Sequence, residues 1–342
     1  MADYSHFGIP PKEWADFLDR TGPLAQTTIE RDQTIEDLQR KTNESRDAVS
    51  ARFMTSGLSD KIHWVDYDIP TRDGETITAR AYEGKYARAV TDSRLPVYLF
   101  FHGGGFLFGT LSSEDATCAR IASELPIIVV NVCYRHTPQF KHPTQVYDAQ
   151  DAFYWVSKHM DDLRGDPEKL IVGGVSAGAS LAATLTIREN RSRDKKKILG
   201  QVLCIPWLSH PDIASKKSDG RVGSYSQNEC APILPRVQIE FFTRALSVED
   251  PKDKAIFASN ADDDELMGMP KTLMLVCGRD VLRDEGLDYA ERLRNLGVPT
   301  KLTVFSGLPH GFQRYLDLPS TSRWFETINQ GLEWILSEEA KI

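Results

Sequence analysis

Eight short apolar runs, spread from residue 63 to residue 306, restrict what this chain can fold into more than any other feature of it. They read HWVDYDI, TITARAY, PVYLFFH, PIIVVNVC, KLIVGGV, QVLCIPW, TLMLVCG and TKLTVFS, and runs of this length and composition predict strands. The first two are joined by PTRDGE, whose Asp73-Gly74 is a hairpin-type turn signal. The later ones are separated by segments with helical periodicity, among them TCARIASEL, QVYDAQDAFYWVSKHM and GLDYAERLRNLG. Strands alternating with helices predict an α/β fold, an eight-stranded and mostly parallel sheet covered by helices on both faces.

Two segments break the alternation. Residues 1–60 carry no strand signal, and Ile29, Ile35, Leu38, Val49 and Phe53 recur roughly as one face of a helix would, so a helical N-terminal segment is expected there. Between QVLCIPW and TLMLVCG lie more than sixty residues, where a crossover needs about a dozen. The excess contains the aromatic-rich SYSQNECAPILPRVQIEFFTRAL and predicts an insertion at about residues 207–246. Both irregular segments are expected to lie over the carboxyl ends of the strands, where open parallel sheets bind ligands. The expected division is a cap segment over 1–60 and a main α/β domain over 61–342.

Charge and cysteine usage exclude several classes of function. A formal net charge of −8 argues against a nucleic-acid binder, which needs a basic face. The basic run Arg191–Lys197 is read as a solvated helix end and the acidic run Asp262–Glu265 as a wet loop. Five scattered cysteines with no C-x-x-C pair suggest neither a disulfide framework nor a zinc site, only reduced and mostly buried thiols. His6, His63, His136, His142, His159 and His210 show no metal-ligand spacing, so neither a metal nor a cofactor is expected. The N-terminus lacks a basic n-region and an apolar h-region, and nowhere do about 18 apolar residues run together. A soluble, cytoplasmic protein without an integral membrane segment is expected, compatible with a homodimer, and Asn43-Glu44-Ser45 is then an accidental sequon.

The chemistry begins at VGGVSAGAS. The buried strand KLIVGGV runs into AGASLAATLTIREN, a helix whose small residues can press against the sheet, and Ser176 falls at the turn between them. Gly174-x-Ser176-x-Gly178 is the pattern of a nucleophile elbow, in which flanking glycines let the chain cross itself and expose the hydroxyl at a helix N-terminus. Such a string alone is weak, since it recurs by chance. It gains weight from His102-Gly103-Gly104-Gly105-Phe106, immediately after the strand PVYLFF, because successive glycines can turn their N–H groups toward a developing oxyanion. Gly103, Gly104 and Ala177 are the expected donors, and His102 is expected to organise the loop. Neither stretch reads G-x-G-x-x-G, which weakens a dinucleotide site.

A serine needs a base, and the base an orienting carboxylate. Asp280 follows the strand TLMLVCG and His310 follows TKLTVFS, giving the chain order Ser, Asp, His expected on such a topology. The neighbouring Asp284 looks instead like a residue charging a helix N-terminus. Phe106, Phe241, Phe242 and Phe312 are candidate pocket or cap-facing aromatics.

HGGGF, GVSAG, YRHTP, GRDVLRDEG and LPHGF resemble, in order and approximate spacing, the hormone-sensitive-lipase-like, or HGGG, carboxylesterases of the α/β-hydrolase superfamily, over roughly residues 63–335. The resemblance implies an α/β-hydrolase fold with a helical cap made by the N-terminal helices and the insertion. It implies a serine esterase of small to medium, largely apolar substrates, with Ser176 as nucleophile, Asp280 as acid and His310 as base. Two positions depart from the family pattern: Val175 stands where an Asp usually precedes the serine, and Gln139 removes the usual acidic partner of Arg135, which is read as structural. Acyl transfer, thioester or amide cleavage by the same triad stay open. A non-hydrolytic receptor like the gibberellin receptors also stays open, although that branch lacks the histidine present here as His310.

Overall fold

The computed structural model describes residues 3–24, 34–90, 93–192, 198–215 and 223–337. Each of the eight predicted runs forms a strand: β1 (Ile62–Pro70), β2 (Thr76–Gly84), β3 (Leu95–Phe101), β4 (Ile128–Cys133), β5 (Gly165–Val175), β6 (Ile198–Cys204), β7 (Lys271–Arg279) and β8 (Thr300–Pro309). They make one sheet in the order β1-β2-β4-β3-β5-β6-β7-β8. Strand β2 runs antiparallel to β1 and β4, and every pairing from β4 through β8 is parallel.

The central strands are apolar on both faces because both faces are covered. Val97, Leu99 and Phe101 of β3 join one core cluster, with the helices Thr144–Lys158, Ala177–Arg191 and Arg283–Asn295, while the alternating Tyr98 and Phe100 join the other, with Asp115–Glu124 and Pro319–Leu336. The parallel strands all end on the same edge, and the loops after β3, β5, β7 and β8 therefore converge there.

Ahead of the sheet lie the helices Lys12–Thr21, which buries Trp14 and Phe17 near Tyr315, and Ile35–Phe53, whose first turn is capped by the Thr34 hydroxyl accepting from the Asp37 amide. The latter docks only in part by the expected apolar face, through Leu38 and the partly buried Ile35. Leu38 is buried, but Val49 points to solvent, and Ile29 lies outside the described residues. The docking face is a polar stripe at helical spacing: Gln39 donates to the Leu107 and Thr137 carbonyls, and Asn43 accepts from the Gly109 amide. Further along, Arg46 donates to the Gly103 carbonyl, Asp47 accepts from the Thr110 hydroxyl, and Ser50 accepts from the Ala116 amide. The partner of this helix is the loop after β3, whose backbone groups demand hydrogen bonds rather than apolar contact.

The insertion carries the helical segments Pro211–Ala214, Ser224–Gln227 and Arg236–Leu246. The acidic run is not a plain loop: Asp263–Leu266 is a helical turn closed by a capping box between Asp262 and Glu265. Arg191, the last residue of its helix, pairs with Asp264, and 193–197 of the basic run lie outside the described residues. Among the described residues no helix is long and apolar enough to cross a membrane. Cys118, Cys204 and Cys277 are buried free thiols, Cys133 is partly covered, and Cys230 is exposed.

Candidate active site

At the end of β5 the chain turns so sharply that Ser176 adopts φ 56° and ψ −117°, a left-handed backbone that a residue with a side chain rarely holds without compensation. Part of that compensation is its own amide, which donates to the Cys204 carbonyl at 2.8 Å. The crossing leaves no room for side chains on either flank. A Cβ at Gly174 would strike the Phe101 carbonyl oxygen and Gly178, and one at Gly178 would strike the carbonyl oxygens of Phe101 and His102. The two glycines are therefore steric requirements of the turn.

The Ser176 hydroxyl lies 3.0 Å from His310 Nε2, and His310 Nδ1 lies 2.7 Å from Asp280 Oδ2. The second carboxylate oxygen of Asp280 accepts from the Leu282 amide at 2.9 Å. All three side chains are nearly enclosed, with exposures of 7% for Ser176, 8% for His310 and 1% for Asp280. A hydroxyl, an imidazole and a carboxylate joined in this order can carry a proton off the hydroxyl while the carboxylate holds the ring in one tautomer. Asp284 does not reach the histidine. It accepts from the Ser224 amide at 2.7 Å and from Arg283 Nε at 2.7 Å, in the first turn of Arg283–Asn295.

The glycine loop after β3 closes the other side. Gly104 and Gly105 have φ of 137° and 63°, and a Cβ built on Gly103 would lie 2.8 Å from the Val175 carbonyl oxygen and 3.4 Å from the Ser176 Cβ. Neither the Gly103 and Gly104 amides nor that of Ala177, the first residue of its helix, donates a hydrogen bond among the described residues. His102 is fully buried, stacks on Tyr134 with ring centroids 4.4 Å apart, and is held neutral by burial, which pushes its pKa down to about 3. Its Nδ1 therefore carries the proton and donates to the Gly103 carbonyl at 3.1 Å.

Of the four aromatics, Phe242 packs edge-on to Phe108 and crowds Gly105, and Phe241 lies partly covered beside it. Phe106 and Phe312 are fully buried, Phe106 against Trp207 and Tyr134, Phe312 between Phe305 and Trp324. Alternation along a strand-and-loop pattern does not tell a lining ring from a core ring, because both are apolar. Arg135 is braced by the buried Asp148 through its Nε and Nη2 and by Asp73 through Nη1, so it has carboxylate partners without an acid at 139.

Sequence patterns missed the supports of the acid turn. Asn228 of the insertion donates to the Asp280 carbonyl at 2.8 Å, Ser224 donates to the Val281 carbonyl at 2.7 Å, and Glu285 accepts from the Leu208 and Ser209 amides. These bonds join residues 52 to 77 positions apart, beyond the reach of any local signal.

A family model described as alpha/beta hydrolase fold matches residues 98–314. The chain is 30% identical over 273 residues to a versiconal hemiacetal acetate esterase of Dothistroma septosporum, covering 79% of this chain and 81% of that protein. Among solved structures, a hyperthermophilic esterase of the archaeon Pyrobaculum calidifontis superposes with a TM-score of 0.78 at 28% identity, over 96% of this chain and 98% of the other. A vibralactone cyclase superposes with a TM-score of 0.86 over 96% of each chain and, at 22% identity, shares the fold.

Proposed function

This chain belongs to the α/β-hydrolase fold family, and from that premise we propose that it is a serine carboxylesterase acting on small to medium, largely apolar esters. The observation that carries the proposal is the continuous hydrogen-bonded series Ser176–His310–Asp280, with the hydroxyl at a helix N-terminus beside three amides that donate no hydrogen bond among the described residues. His310 takes the proton as the Ser176 oxygen attacks the ester carbonyl, and Asp280 keeps the ring oriented and stabilises the imidazolium. The carbonyl oxygen, now an anion, is held by the Gly103, Gly104 and Ala177 N–H groups. His310 returns the proton to the departing alkoxide, leaving an acyl-enzyme. Water, deprotonated by the same imidazole, then attacks the acyl carbon and releases the acid.

The N-terminal segment and the 207–246 insertion form the cap in this proposal. In support, Phe242 presses on the glycine loop, and Ser224 and Asn228 on the acid turn. Two of the three proteins cited above, the Dothistroma septosporum and Pyrobaculum calidifontis ones, are named as esterases, which favours an ester over a thioester or amide. The test is a hydrolysis panel of p-nitrophenyl esters from acetate to decanoate beside matched thioesters and anilides. Short and medium esters are expected to turn over fastest. A chain that hydrolyses none of them, or prefers the anilides, refutes the assignment.

A further inference from the structure

The Gly103 carbonyl receives two donors. One is His102 Nδ1 at 3.1 Å, and the other is Arg46 Nη2 at 2.9 Å, reaching in from the helix Ile35–Phe53. The same nitrogen of Arg46 donates to Glu114 Oε1 at 2.9 Å, and both side chains are about nine-tenths buried. Arg46 Nη1 lies against Gly104, where a built Cβ would come within 2.6 Å of it. No sequence motif marks Arg46, and the mechanism above makes no use of it.

The peptide joining Gly103 to Gly104 is trans, so its C=O and N–H point in opposite directions. A donor that fixes the carbonyl fixes the N–H on the other side. Between two glycines this peptide plane has little steric reason to stay in one orientation. If it turned over, the Gly104 N–H would leave the side of Ser176, and the buried guanidinium would lose its carbonyl acceptor, which is costly for an enclosed charge. A cation on the carbonyl also polarises the amide and makes its N–H the stronger donor. We infer that Arg46 is a positioning residue for the oxyanion site: by holding the Gly103 carbonyl from behind, it keeps the Gly104 N–H aimed at the reacting oxygen. This inference rests on the esterase mechanism proposed above.

Removing Arg46 alone would leave the buried Glu114 with only the longer contact to Arg314, at 3.9 Å, so the primary variant is Arg46→Met/Glu114→Gln, which takes away the close buried pair together and leaves the partly exposed Arg314 guanidinium to solvent. Its kcat is expected to fall roughly 10- to 100-fold, in the range of losses seen for outer supports and oxyanion donors, with KM for a short ester changed less than about threefold. An aryl trifluoromethyl ketone, which captures the serine as a hemiketal oxyanion, should lose affinity by the same factor as kcat. Arg46→Lys, which keeps a charged donor, should fall between the variant and the parent. A folded double variant that keeps both kcat and ketone affinity overturns the inference. So does one whose KM rises while ketone affinity holds, because that pattern marks disturbed packing. Should the double variant not fold, Arg46→Gln is judged on the same two readouts. The underlying mechanism is checked separately: a parent protein that neither hydrolyses esters nor takes a fluorophosphonate at Ser176 brings down the mechanism and this inference together, whereas an active, labelled parent with indifferent variants brings down the inference alone.

Discussion

At the scale of single residues, the strained Ser176 has little packing role, since its hydroxyl meets His310 and its backbone is held by the Cys204 carbonyl. A fluorophosphonate should label this serine and no other, and Ser176→Ala should lose on the order of 10³-fold or more in kcat while staying folded. Peptide mapping decides the first point, and labelling that survives the substitution rejects it. The two acids after β7 separate in the same way. Asp280→Asn leaves the hydrogen-bonding shape but lets the ring settle in the wrong tautomer, so kcat should drop by on the order of 10⁴ with little change in Tm. Asp284 instead bonds the Ser224 amide at the start of a helix, so Asp284→Asn should cost about 1 kcal/mol of stability and little rate. The reverse outcome, with Asp284→Asn inactive and Asp280→Asn turning over normally, would mean that the carboxylate bonded to His310 is not the one the reaction uses.

At the scale of elements, the strands and the elbow were legible because their determinants are local. Buried parallel strands must be apolar along their length, and a strand-to-helix crossing that admits no Cβ must be flanked by glycine. The helix Ile35–Phe53 was legible as a helix but not in its orientation. Gln39, Asn43, Arg46, Asp47 and Ser50 read in isolation as a solvent face, since the partner that makes them an inner face is the loop after β3 and the start of the helix that follows it, 57 to 68 residues away. The same stripe sharpens what truncation should do. Deleting residues 1–45 removes Gln39 and Asn43 from the loop and uncovers the surface that Trp14, Phe17 and Leu38 bury. Activity on the best ester should fall sharply and the protein should aggregate, as followed by kcat/KM and size-exclusion chromatography. A truncated protein that keeps full activity and solubility would show that the N-terminal segment neither covers nor braces the site.

At the scale of the whole molecule, the loop that meets the strand ends is built on buried neutral histidines, and this ties global stability to pH. His102 and His136 lie 5.1 Å apart between ring centroids, each with an Nε2 that finds no partner among the described residues, and burial lowers both pKa values, that of His102 to about 3. Burial also lowers His210. A histidine whose folded pKa is depressed takes up a proton on unfolding at any pH between its folded value and its unfolded value of about 6.5. The unfolded chain then binds more protons, so stability is full above pH 6.5 and declines as the pH falls toward the folded value. Well inside that window each such histidine contributes a slope approaching 1.4 kcal/mol per pH unit, to order of magnitude. The interval from pH 6.5 to 5 isolates the effect, because carboxylates held low by ion pairs, such as Asp73 beside Arg135, give up their stabilisation only in stronger acid. Urea unfolding at pH 7, 6 and 5 should therefore show a steady loss of stability on acidification. In His136→Phe, which keeps a ring of similar size against His102 and Tyr134, the slope below pH 6.5 should flatten by about one proton. An unchanged slope would place the acid sensitivity of the fold elsewhere than in the histidines beneath the glycine loop.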